Sequence, residues 1–143
     1  MEYIQAMANA HYFEVLLSVS HHPAMYGVQD AMDLSAFLSG YNVGSNEPAL
    51  RRLLGDLTDF LKKKNPEFLE STCGWSHIIK SQSYERGGSI ELFRRWLGLM
   101  LLEQGHWTDE HFEIFMSKAP LSVDDLRSLP APQFDERSAG SDL

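Results

Sequence analysis

"SIELFRRWLGLMLLEQG", residues 89–105, puts apolar side chains on nearly every side of a helical wheel: Ile90, Leu92, Phe93, Trp96, Leu97, Leu99, Met100, Leu101 and Leu102. A helix that is apolar all round sits at the centre of a fold and is covered by its neighbours. Its uninterrupted apolar run, residues 96–102, is far short of the ~20 residues that cross a membrane. Ser89 is placed to cap its start, and Gly105 to supply the left-handed residue that ends it.

The flanking segments read as the amphipathic helices such a centre requires. In 46–64, Leu50, Leu53, Leu54, Leu57 and Leu61 recur at helical spacing with Phe60 beside them. Asn46 is the expected cap, Glu47 and Pro48 suit the first turn, and Lys62, Lys63 and Lys64 suit the last. In 30–42 the stripe is Leu34, Phe37, Leu38 and Tyr41, with Asp30 or Asp33 as cap. In 2–19, Ile4, Met7, Ala8, His11, Val15 and Val19 share a face, widened by Tyr3, Phe13, Leu16 and Leu17. Pro23 stops that helix, because the residue before a proline avoids helical geometry, and Gly27 suits a tight turn.

On the C-terminal side, Thr108 reads as an N-cap with Asp109 and Glu110 in the first turn. Phe112, Phe115 and Met116 form that helix's apolar face. Ser122 with Asp125 resembles a capping box before a short last helix. "WSHII", 75–79, reads as a short helix capped by Thr72, with a brief strand as the alternative, and "YERGG", 84–88, as a loop. No strand alternation and no internal repeat is visible. The expectation is one all-α domain of five to six helices over residues 1–129, with a flexible polar tail over 130–143.

With 143 residues, 43% of them hydrophobic, the chain can bury roughly two thirds of its unfolded surface without a disulfide or a metal. The single cysteine, Cys73, excludes an intrachain disulfide and a multi-cysteine zinc site. The N-terminus carries an acid where a signal peptide has basic residues. These features give the expectation of a soluble, cytoplasmic protein. The net charge of −8 is uneven: residues 1–50 hold five acids and no Lys or Arg, residues 51–95 balance to +3, and residues 96–143 to −6. An acidic protein repels phosphate backbones and attracts basic partners, which argues against nucleic acid.

No pattern of catalytic residues emerges. Of the histidines, His11, His21, His22, His77, His106 and His111, no pair has the spacing that presents two imidazoles on one helix face around a glutamate. His21 and His22 are adjacent and so diverge; the simplest reading of "SHHPAMYG", 20–27, is a helix end with histidines bonding free carbonyls, then a docked loop. Cys73 and His77 could meet on one helix face as a thiolate pair, but nothing around them matches a cysteine protease. GxSxG and phosphate-loop motifs are absent. "WTDEHFE", 107–113, clusters Asp109, Glu110, His111 and Glu113, and acids at a helix start are ordinary; with Trp107 beside them they also suit a basic protein partner.

Three stretches in order, "HHPAMYG" at 21–27, "LSAFLSGY" at 34–41, and "GWSHII" at 74–79 followed by "ELFRRWL" at 91–97, resemble small proteins encoded beside bacterial polymorphic toxins, some of which look like immunity proteins. The likeness spans roughly residues 1–100 and departs at His22, where that group carries Arg before the proline. The resemblance implies an inhibitor that covers an active site or essential surface of a cognate toxin and performs no chemistry itself. The expected partner-binding residues are acidic or aromatic and exposed: Asp30, Asp33, Glu47, Trp107, Asp109, Glu110 and Glu113. No cofactor, metal, nucleic acid or membrane is expected. The alternatives are a helical adaptor or subunit without a toxin partner, and a small enzyme using His21, His22 or Cys73 with His77.

Overall fold

The computed structural model describes residues 2–45, 48–83, 88–117 and 121–132. Within them the chain is all-α: α1 Glu2–His21, α2 Ala31–Ser45, α3 Pro48–Lys64, α4 Trp75–Ser81, α5 Gly88–Glu103, α6 Asp109–Met116 and α7 Val123–Arg127. Single 3-10 turns at Pro23–Tyr26 and Pro66–Phe68 bend the chain after α1 and α3. The helix count exceeds the expected five to six because both short segments, α4 and α7, form. No helix among the described residues is long and apolar enough to cross a membrane.

α5 is the centre its sequence promises. It touches α1, α2, α3, α4 and α6. Ile90, Phe93, Leu97, Met100 and Leu101 are buried, while Leu92, Trp96 and Leu99 fill the partly covered flanks. Gly98 matters here: a Cβ on it would lie 3.2 Å from both Phe112 and Phe115, so the glycine lets α6 settle against α5. A helical glycine costs roughly 1 kcal/mol against alanine, and this close approach is what offsets it. Gly105, at φ 79°, then ends the run as expected. The α3 stripe is equally clear, with Leu50, Leu53, Leu57, Phe60 and Leu61 all buried.

Four expectations are corrected. α5 begins at Gly88, and Ser89 is not its cap: Ser89 is buried in the first turn, where its Oγ accepts from the backbone N–H of Ala31 at 2.8 Å. A serine in the first turn of one helix thus satisfies an orphan donor at the start of another. Gly74, not Thr72, precedes α4, and Thr58 Oγ1 accepts from Trp75 N–H at 3.2 Å in place of a side-chain cap. The inward face of α1 is shifted from the expected one: Phe13, Leu16, Leu17 and Val19 are buried as expected and Tyr12 joins them, but Val15 is only half-buried and His11 is exposed. The bulkier aromatic-leucine face fills the space beside α5. Finally, the chain stays docked past the expected boundary at 130. Pro130 carbonyl accepts from Trp107 Nε1–H at 3.1 Å, and Pro132 is buried. The expected cap Asn46 and tail residues 133–143 lie outside the described residues, as do the side chains of Tyr3, Ile4, Met7 and Ala8.

Candidate partner-binding surface

The acidic helix α6 is built from both ends. After Gly105 turns the chain, Thr108 adopts extended backbone and its Oγ1 accepts from His111 N–H at 3.3 Å. His111 reciprocates, its Nδ1 accepting from Thr108 N–H at 3.2 Å, so histidine fills the role glutamate has in the usual capping box. Asp109 and Glu110 occupy the first turn, where the helix dipole favours negative charge. With Glu113 one turn on, all three are exposed, and none makes a side-chain hydrogen bond or ion pair with another described residue. Ser122 caps α7 as expected, its Oγ accepting from Asp125 N–H at 3.1 Å.

Trp107 is not part of this surface. It is 4% exposed and stacks edge-on against Phe13 at 5.9 Å and Phe115 at 5.0 Å. Its N–H is satisfied by Pro130, so the ring is a core anchor that fixes the start of α6 rather than a partner contact.

Asp30 is likewise internal, at 4% exposure. Its Oδ1 accepts from Asp33 N–H at 2.9 Å as the N-cap of α2, and its Oδ2 receives Lys80 Nζ at 2.8 Å. Asp33 is half-buried, and its Oδ2 accepts from Gln29 N–H at 3.0 Å. Both carboxylates hold the α2 start together. Glu47 lies outside the described residues. Of the sequence-predicted set, Asp109, Glu110 and Glu113 are therefore the ones brought together on open surface.

"SHHPAMYG" folds as the end of α1 and one 3-10 turn, closed by Gly27 at φ 71°. The histidines differ from expectation. His22 Nε2 meets the carbonyl of Leu121 at 3.1 Å, tying α1 to the segment before α7 rather than capping its own helix. His21 is 4% exposed, packs edge-on against Phe115 at 5.0 Å, and neither ring nitrogen has a hydrogen-bond partner among the described residues. Burial, then the Arg94 guanidinium and then His22, push its pKa down to about 4, so it is a neutral interior ring. Arg94 Nη1 meanwhile donates to the Ser20 carbonyl at 3.0 Å.

Cys73 precedes α4, so it shares no helix face with His77. Cys73 is half-buried and His77 exposed, and no hydrogen bond or ring contact among the described residues joins either to His21 or His22. Among the described residues no group of three or more His, Cys, Asp or Glu side chains could hold a metal ion. Elsewhere, burial and the neighbouring Asp59 raise the Asp56 pKa, against the opposing pull of His106 and Arg52.

Sequence reasoning missed a second surface. Tyr26 OH lies 2.8 Å from Ser18 Oγ and its ring stands edge-on to Phe37 at 5.4 Å; one turn further along α2, Tyr41 faces His11 at 6.2 Å. The period of α2 shows Phe37 and Tyr41, but only the α1–α2 crossing reveals their partners. Compared with known protein families, curated proteins and solved structures, the chain matches none.

Proposed function

We propose that this protein is an immunity-type inhibitor, which binds a basic toxin domain directly and neutralises it by occlusion. The observation that carries this reading is the open acidic set Asp109, Glu110 and Glu113, held on a capped helix whose base is fixed by Trp107 and Gly98. Charges on a rigid mount, unengaged by other described residues, are available to a partner without reorganisation. The motif resemblance and the excess of acid over base support the same reading. Such a protein needs a complementary surface and no reacting groups.

The direct test is co-expression with the product of the gene directly upstream, followed by size-exclusion chromatography. The two chains are expected to elute as one complex; separate elution at micromolar concentration contradicts the proposal. The charge-reversed variant Asp109→Lys/Glu110→Lys is expected to associate about tenfold more slowly at low salt, with dissociation little changed. Stopped-flow measurement across salt concentrations checks this, and an unchanged association rate removes α6 from the interface.

A further inference from the structure

The α1–α2 junction carries a second surface that the acidic helix does not account for. Tyr26, Phe37, Tyr41 and His11 form a row of rings along it, with Tyr26 and His11 exposed and Phe37 and Tyr41 half-covered. Met25, in the same turn as Tyr26, is 79% exposed. Proline and glycine fix this turn: Val28 N–H bonds to the Pro23 carbonyl at 3.0 Å, and Gly27 closes it in the left-handed region. Met25 is therefore presented outward on a defined backbone.

Within the segment that forms the row, the fixed charge is of one sign. Residues 11–45 contain no Lys or Arg. Asp30 is buried against Lys80 and Asp33 is engaged at the α2 start, which leaves Glu14 as the exposed acid of this region. Helical spacing places Glu14 between His11, which faces Tyr41, and Ser18, which holds Tyr26. Aromatic faces carry negative potential and attract ammonium and guanidinium groups. Single exposed apolar residues are normal on a protein surface, but two ring pairs one turn apart on α2, beside an exposed methionine, have the composition of an interface core.

We propose that this α1–α2 row is a docking surface for a protein segment that combines apolar side chains with Lys or Arg. The inference rests on the partner-binding reading above and adds an anchor to it. The α6 acids attract a basic partner over distance, while the row desolvates its apolar and cationic side chains at contact.

The test uses amide-shift mapping of the full chain with two synthetic probes: a short amphipathic leucine–lysine helix and its leucine–glutamate counterpart. The leucine–lysine peptide is expected to shift the amides of Glu14, Tyr26, Phe37 and Tyr41 saturably, and the glutamate peptide to leave them unmoved. Met25→Lys, at an exposed position that leaves the fold intact, is expected to weaken the lysine peptide about fivefold or more. Asp109→Lys/Glu110→Lys is expected to leave the Tyr26 and Phe37 shifts in place. Absence of binding, equal binding of both peptides, or shifts confined to α6 would overturn the proposal. So would shifts in this row that follow the protein's own concentration, which would assign the surface to a second copy. The probes carry no toxin activity, so failure here leaves the inhibitor reading standing, and failure of co-elution is distinguished from it by peptide shifts that persist at this row.

Discussion

His21→Leu is expected to raise stability at pH 7 by about 1–2 kcal/mol, and to remove up to about 3 kcal/mol of acid destabilisation between pH 6.5 and pH 4. At neutral pH the native imidazole is buried with both nitrogens unpartnered among the described residues, which leucine avoids. The acid effect follows from proton linkage. The unfolded chain binds a proton at His21 near pH 6.5, whereas the folded chain does so only near pH 4. Between those values the unfolded state holds more protons, so folding stability falls as pH falls, by about 1.4 kcal/mol per pH unit. Above pH 6.5 the residue is neutral in both states and the slope vanishes. Urea denaturation of both proteins at several pH values checks this. Parallel pH profiles for the two would contradict the buried neutral assignment.

Asp30→Ala is expected to destabilise the fold by about 2–3 kcal/mol. It removes the α2 N-cap, which contributes about 1 kcal/mol, and the partner of Lys80 at a site where the carboxylate side chain is 5% exposed. Lys80 itself is 38% exposed and can turn to water, which keeps the loss below that for a fully buried ion pair. Asp30→Asn keeps an oxygen for the cap and is expected to recover about half of the loss. The denaturation midpoint reports both, with the slope of the transition unchanged. A cost below about 0.5 kcal/mol for Asp30→Ala would return this residue to the surface role its charge suggests.

These two residues show where reading the sequence succeeds and where it fails. Patterns within one helix were legible: the all-round apolar α5, the α3 leucine stripe, the Thr108 and Ser122 caps, and Gly105. What escaped depends on contacts distant in sequence. Asp30 looks like a surface acid until Lys80 arrives from α4; Trp107 looks like an interface aromatic until Pro130 accepts its N–H. Ser89 resembles the cap of its own helix and serves Ala31 instead. His21 reads as a helix end bonding free carbonyls because its cover, Phe115, lies in α6. The acids of α6 were legible because a helix N-terminus and an exposed face are both local properties, whereas the ring row needs two helices to cross before it exists.

The inhibitor reading meets its most direct test in a growth assay. Cells are induced to express the product of the gene directly upstream, alone or together with this protein. Inhibition by occlusion predicts that growth stops when the neighbour is expressed alone and is restored by co-expression. Equal growth in both cultures, or arrest that this protein does not relieve, would contradict it.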